Sequence, residues 1–270
     1  ADNPALQAAI EGGFTPVPVY VHAPQEEGDW APGAASDAWR RRSLAKLQTD
    51  LQACGSRLLL RRGPSQQVLQ DLVAEIGAQA VFWNRKYEPG TQPRDAAIKH
   101  ALKEQGLQVE SFNGALLFEP WSLATQQGGP YKVFTPFWRN ALDQWRTPAL
   151  QGAPVAMRAA PALPGETLDA LLPAPRPMWD HTFWDTWQPG ESGAREALEV
   201  FADGALRGYR TDRDRPDRVG TSLLSPHLHF GEIAPWRVCA ELEKERTASN
   251  AADMDGYIRD LGWREFAYHL

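Results

Sequence analysis

Short apolar runs alternate with amphipathic helical patterns over the first 112 residues, and this alternation constrains the fold more than any other feature. The runs at 17–21, 57–60, 80–83 and 107–112 are rich in β-branched, leucine and aromatic residues, as buried parallel strands are. Helical patterns at 39–54, 64–76 and 95–105 separate them. The order predicts an α/β domain with a doubly wound, Rossmann-like parallel sheet.

The composition changes at about residue 145, where alanine and proline dominate up to residue 179. Such proline density predicts an extended connector without helices. Helical patterns return at 194–206, 235–245 and 255–270. We therefore predict an α/β domain at 1–120, a linker at 121–190 and a helical domain at 191–270.

Composition limits the setting of the protein. The 270 residues are 43% hydrophobic, and no apolar stretch is long enough to cross a bilayer. Only Cys54 and Cys239 are present, so neither a disulfide framework nor a cysteine metal site is expected. The formal charge of -6 argues against non-specific wrapping of DNA. We expect a cytoplasmic monomer with no membrane partner.

A hydroxyl-rich segment, GTSLLSP at 220–226, is the first candidate for a binding site. Ser225 followed by Pro226 has the order of an N-cap and a first helical turn. Backbone N–H groups at a helix start, together with neighbouring hydroxyls, can hold a pyrophosphate. The alternative is a capped helix that binds nothing.

Charged and aromatic residues flank this segment on both sides. Downstream, Tyr257, Asp260 and Arg264 share one helix face, with Trp263 beside them. The alternative interpretation is a solvated turn and a surface pair between Asp260 and Arg264 over a buried Trp263. Upstream, arginines alternate with aspartates in a turn, at Arg207, Arg210, Arg213, Arg215 and Arg218 and at Asp212, Asp214 and Asp217.

Taken in order, these motifs resemble the FAD-binding domain of the DNA photolyase and cryptochrome family. The family's motifs correspond to Tyr209, then RDRP at 213–216, GTSLLSP at 220–226, GEI at 231–233 and WREF at 263–266. YKVFTPFWRNALDQW at 131–145 and DNPAL at 2–6 also resemble family segments, so the likeness runs the whole length of the chain.

The resemblance implies a light-driven repair enzyme of the carbon–carbon lyase type. In such an enzyme reduced FAD donates an electron to a cyclobutane pyrimidine dimer flipped out of UV-damaged DNA, and the dimer splits. Asp260 and Trp263 would be catalytic, and Arg213, Asp260 and Trp263 would bind DNA. The implied FAD contacts are Tyr209, Thr221, Ser222, Leu223, Leu224, Ser225, Tyr257, Asp260 and Arg264.

Departures from the family pattern keep alternatives open. Asp260 stands where cyclobutane-dimer enzymes commonly carry Glu, and Tyr257 stands where they carry Trp. A cryptochrome that binds FAD and signals without repair is therefore a second hypothesis, and a flavin-free scaffold is a third. The lesion type, a dimer or a 6-4 product, also stays open.

Two further expectations concern the antenna chromophore and the ends of the chain. Gly90 and Thr91 replace an Asn-Glu pair that folate-binding relatives carry, so the identity of a second chromophore is unknown. Tyr87 and Glu88 are expected to be turn residues. Relative to the family, the chain begins after the first strand and stops before the remaining FAD ligands, so we expect it to hold flavin weakly on its own. His227 and His229 lack metal-ligand spacing, and no metal is expected.

Overall fold

The computed structural model describes residues 1–270, with the exception of the side chain of Trp30. The chain divides into two compact units. Unit 1 comprises residues 1, 3–114 and 152–190, and unit 2 comprises residues 2, 115–151 and 191–270. Each unit has its own apolar core.

The predicted alternation of strands and helices is confirmed in unit 1. Three of the predicted helices and all four predicted strands form, with ends shifted by a few residues. An additional helix at the N-terminus begins where Asn3 caps it, because the Asn3 side chain accepts a hydrogen bond from the Leu6 N–H. The elements in order are α1 (Pro4–Glu11), β1 (Val19–His22), a 3-10 helix (Pro24–Trp30), α2 (Ala34–Ala53), β2 (Leu59–Arg62), α3 (Ser65–Ile76), β3 (Ala80–Asn84), α4 (Thr91–Glu104) and β4 (Gln108–Phe112).

The four strands are parallel in pairs. β1 pairs with β2, with Val19 opposite Leu59, and β3 pairs with β4, with Ala80 opposite Gln108. Within the part of the chain that the structure describes, no ladder joins the two pairs. The α/β class with parallel strands is thus confirmed, and the strands form two parallel pairs.

The segment predicted as a linker, 121–190, contributes to both units instead. Its first part forms α5 (Phe134–Gln144) in unit 2, which buries Phe134, Phe137, Trp138 and Ala141. Its last part crosses β2, where the Glu166 N–H donates to the Leu60 carbonyl at 3.0 Å. There α6 (Leu168–Leu171) forms between two prolines, capped by Thr167. The prediction of no helix was wrong, since a single capped turn fits between Pro164 and Pro173.

The predicted C-terminal helices are confirmed and make up most of unit 2. They are α7 (Glu191–Asp203), α10 (Pro235–Lys244) and α11 (Ala251–His269), and two short helices lie between them, α8 (Tyr209–Asp212) and α9 (Ser225–His229). Their core contains Phe137, Phe201 and Met254, each at most 2% exposed. Among the described residues, none of the helices combines the length and the apolar character that a bilayer span needs.

Candidate functional site

One face of α11 carries Asp260 and Trp263, which the sequence motifs single out, together with Gly256 and Arg259, which they do not. At about 100° per residue, Gly256, Arg259, Asp260 and Trp263 fall within an arc of roughly 100°. α8 packs on the same face, because the Asp253 carboxylate accepts hydrogen bonds from the N–H groups of Gly208 at 2.9 Å and Arg210 at 3.1 Å. The arginine-rich turn is therefore held against α11.

Asp260 lies at the centre of a hydrogen-bonded triad. Its Oδ2 accepts the Tyr209 hydroxyl at 2.7 Å and also pairs with the Arg213 guanidinium. Burial, and then the bond to Asp260, raises the pKa of Tyr209, while the same carboxylate raises the pKa of Arg213. Tyr209 therefore stays a donor, and the carboxylate of Asp260 is fixed in orientation.

This triad corrects the alternative interpretation of the helix. The surface pair between Asp260 and Arg264 does not form, because Asp260 turns towards α8. Arg264 pairs instead with the adjacent Glu265 at 2.9 Å, and its guanidinium lies 5.4 Å from the ring centroid of Tyr268. Trp263 is 48% exposed, not buried.

The hydroxyl-rich segment at 220–226, called the hydroxyl loop below, is anchored to α11 through Tyr257. The buried Tyr257 hydroxyl donates to Ser222 Oγ at 3.0 Å, and Ser222 Oγ also accepts the Leu224 N–H at 3.3 Å. Burial raises the pKa of Tyr257, so the phenol stays protonated. Thr221, Leu223 and Ser225 are exposed, whereas Leu224 is buried. The loop thus presents two hydroxyl side chains outwards on a fixed base.

Two backbone features give this loop its shape. Leu223 has a φ of 55°, a conformation that is uncommon for a residue with a side chain. A Cβ on Gly220 would lie 2.3 Å from the Asp212 carbonyl oxygen, so only glycine fits there.

The start of α9 also differs from the prediction. Leu224 is the N-cap and Ser225 the first helical residue, because the Leu224 carbonyl already accepts the Leu228 N–H at 2.9 Å. No side chain caps this helix. The sequence therefore placed the N-cap one residue too late, at Ser225 instead of Leu224.

Trp263 forms a platform with Phe134 of α5. The two rings are parallel within 10°, with centroids 3.7 Å apart, and Phe134 is buried. Gly262 allows this approach, since a Cβ there would lie 2.5 Å from the indole of Trp138. One face of the Trp263 ring is therefore covered by Phe134, while nearly half of the residue stays accessible.

Glu265 joins α11 to the segment before α5. Its Oε2 accepts the N–H groups of Leu117 at 2.7 Å and Phe118 at 3.2 Å, while its Oε1 faces Arg264. Burial raises the pKa of Glu265 to about 7, and Arg264 and the two N–H groups act in the opposite direction. The carboxyl group is thus partly protonated near neutral pH.

The other predicted positions have structural partners. Tyr87 and Thr91 close the connection between β3 and α4, since Thr91 Oγ1 donates to the Glu88 carbonyl at 3.0 Å. His227 lies 2.6 Å from Glu232, and both are buried. In the described residues, no group of three or more His, Cys, Asp or Glu is placed to hold a metal ion.

Three residues of the site were missed at the sequence level. Phe134 and Glu265 belong to family segments, but the motifs do not indicate that Phe134 stacks on Trp263 or that Glu265 binds the segment before α5. Arg259 belongs to none of the motifs. Its position four residues before Trp263 was the available signal, because i and i+4 residues are neighbours on a helix.

Comparisons with known proteins place this chain among characterised relatives. The family model described as DNA photolyase matches residues 1–157. The deoxyribodipyrimidine photo-lyase of Agrobacterium fabrum is 43% identical over 277 residues, covering 100% of this chain and 56% of the relative. Cryptochrome-2 of Arabidopsis thaliana is 33% identical, covering 100% of this chain and 46% of the relative.

A solved structure matches the fold as well. The crystal structure of a bacterial class III photolyase from Agrobacterium tumefaciens superposes with a TM-score of 0.90 at 41% identity, covering 99% of this chain and 55% of that one. The chain therefore spans about half the length of these relatives.

The α/β unit, the helical unit and the structural match define a class, that of photolyases and cryptochromes. The chain belongs to the DNA photolyase family. FAD is the typical cofactor of this family, and DNA is the usual partner.

Proposed function

We propose that the protein containing this chain is a light-driven DNA repair enzyme that splits cyclobutane pyrimidine dimers. The observation that carries the proposal is the whole-chain match, at 43% identity, to a deoxyribodipyrimidine photo-lyase. UV-damaged DNA is the proposed substrate. The cytoplasmic location, the monomeric state and a second antenna chromophore remain predictions.

The hydroxyl loop supports FAD as the cofactor. Thr221 and Ser225 expose their hydroxyls, and no side chain caps α9, so the Ser225 N–H can donate to an anion, whereas Pro226 has no N–H. A diphosphate with a ribityl chain suits such a donor set. When bound, reduced FAD supplies the electron that splits the dimer.

The residues proposed to hold the cofactor are those of the loop and of the adjacent helices. The Tyr257 hydroxyl holds the side chain of Ser222 in place, and the Tyr209 hydroxyl holds that of Asp260. Arg264 would lie near the flavin as a cation already balanced by Glu265. The proposed FAD contacts are Tyr209, Thr221, Ser222, Leu223, Leu224, Ser225, Tyr257, Asp260 and Arg264.

Asp260 and Trp263 are the residues proposed to meet the lesion. The exposed indole would stack against an extruded base, an interaction worth about 1–3 kcal/mol. The Asp260 carboxylate would accept a hydrogen bond from the lesion, held in orientation by Tyr209 and Arg213. Arg213 would add its charge near a DNA phosphate.

A cryptochrome is the second candidate function. Asp260 Oδ2 already takes bonds from Tyr209 and Arg213, which limits what this short carboxylate offers to a lesion. Similarity to a plant cryptochrome at 33% identity supports this alternative. In that case flavin binding persists without repair.

The test uses the purified full-length protein with its flavin reduced. We expect a yellow preparation, when oxidised, and loss of thymine dimers from an oligonucleotide under blue light but not in the dark. Trp263→Ala should weaken dimer-specific binding roughly tenfold or more, because a stacking partner is removed.

Trp121→Ala is the matched control, since Trp121 is also exposed, at 64%, and lies outside the proposed site. It should bind and repair like the wild type. A flavin-containing protein that leaves dimers intact in the light would overturn repair in favour of signalling, and a colourless protein would exclude both.

A further inference from the structure

Two arginines lie along the same face of α11 as Trp263. The Arg210 side chain crosses α11 at Gly256, where a Cβ would lie 2.8 Å from Arg210 Cγ. The Arg259 guanidinium lies 5.6 Å from the centroid of Phe134, the ring on which Trp263 stacks. Both arginines are exposed.

These two cations differ from the other arginines of the site in their partners. Arg213 and Arg264 pair with Asp260 and Glu265. Within the described residues, neither Arg210 nor Arg259 forms an ion pair with a carboxylate. Two further arginines of the turn are also paired, Arg215 with Asp217 and Arg218 with Asp212. Arg207 forms no ion pair in the described part of the chain, and it lies before α8.

Neighbouring carboxylates have other partners. Asp255, four residues before Arg259 on α11, pairs with Arg246 at 2.8 Å. Asp253, below Arg210, accepts hydrogen bonds from two backbone N–H groups. Asp260, next to Arg259, is paired with Arg213. An exposed arginine without an acidic partner, beside an exposed aromatic ring, is the arrangement that proteins use to follow a nucleic-acid backbone while stacking its bases.

The spacing of these residues along α11 suits contact with a single DNA strand. About 10 Å of helix axis separate Gly256, under Arg210, from Trp263. Phosphates on one strand of a duplex follow each other at about 3.4 Å of axis, so this length spans at least two of them. Arg259 lies one turn from Trp263, the distance of an i,i+4 pair.

We propose that Arg210 and Arg259 bind phosphates of the DNA strand whose extruded base stacks on Trp263. This inference rests on the proposed function and names two contacts outside the family motifs. The sequence-independent charge of these contacts adds affinity for any DNA, while Trp263 and Asp260 discriminate the lesion. Arg213 contributes less to the salt dependence, because Asp260 already balances it.

The test compares variants of the full-length protein on a duplex with a thymine dimer and on the same duplex without one. For Arg259→Gln, and for Arg210→Gln, we expect the slope of log affinity against log salt to fall in magnitude by about 0.9, and by about twice that in the double variant. Affinity for both duplexes should fall by the same factor. Arg259→Lys should keep the wild-type slope, because lysine keeps the positive charge.

Arg139→Gln is the matched control. Arg139 is an exposed arginine of α5 about 140° from Phe134 on that helix, and it has no ion pair among the described residues. An unchanged slope in Arg259→Gln and Arg210→Gln, or a change equal to that of Arg139→Gln, overturns the inference. Flavin content and melting temperature equal to wild type exclude misfolding as the cause of a changed slope. A wild-type protein that does not prefer the dimer duplex contradicts the proposed function instead, whatever the slopes are.

Discussion

Between pH 5 and pH 8, the free energy of unfolding of the wild-type protein is expected to fall by about 2–3 kcal/mol relative to the Glu265→Gln variant. Burial raises the pKa of Glu265 to about 7, above its ordinary value of 4.5. Between these two values the folded protein binds a proton that the unfolded chain has released. Stability therefore falls as the pH rises through this window, by at most about 1.4 kcal/mol per pH unit, and is flat above it.

The measurement is chemical denaturation of both proteins at pH 5, 6, 7 and 8. Glutamine keeps an acceptor for the N–H groups of Leu117 and Phe118 but has no proton to exchange. Glu196→Gln is the control, because Glu196 is an exposed residue of α7, and its pH profile should follow the wild type. A wild-type profile parallel to that of Glu265→Gln would show that the carboxyl group titrates normally.

Gly262→Ala is expected to destabilise the protein by about 1–3 kcal/mol, although alanine is the better helix former. The added methyl group would lie 2.5 Å from the buried indole of Trp138, which has no room to withdraw. A displaced Trp138 would also disturb Phe134, which stacks on it, and therefore the stack between Phe134 and Trp263. Denaturant midpoints and the affinity for dimer DNA measure the two effects.

Gly256→Ala is the matched variant in the same helix. A Cβ there meets Arg210 Cγ at 2.8 Å, but that side chain is exposed and flexible. We expect no loss of stability, and a gain of up to about 1 kcal/mol from helix propensity. Equal destabilisation by the two alanines would show that the contact with Trp138 is not what requires Gly262.

Local patterns predicted the secondary structure of both units well. The αL conformation of Gly77 ends α3 where the sequence placed its end, and α10 begins at Pro235 as predicted. Local patterns failed for helices whose formation depends on partners distant in the sequence. α5 was missed because its apolar face, which includes Phe134 and Phe137, is explained only by packing against α11, and α6 because proline density outweighed the cap at Thr167.

The sequence indicated most residues of the candidate site, but not the contacts between them. Asp260 has an arginine four residues later, and this spacing suggested a pair within the helix. The pair forms with Arg213 instead, 47 residues away, because Asp253 holds α8 on the same face of α11. The stack of Phe134 on Trp263 joins residues far apart in the chain, and no local periodicity indicates such a contact.

A crystal structure of the full-length protein with FAD and a dimer-containing duplex is the most direct test of the central claim, that the face of α11 and the hydroxyl loop form one flavin and lesion site. We expect the FAD diphosphate and ribityl chain to lie against Thr221, Ser222 and Ser225, and the extruded dimer to contact Trp263 and Asp260. A flavin that touches none of residues 221–225, or a dimer bound away from Trp263, would contradict it.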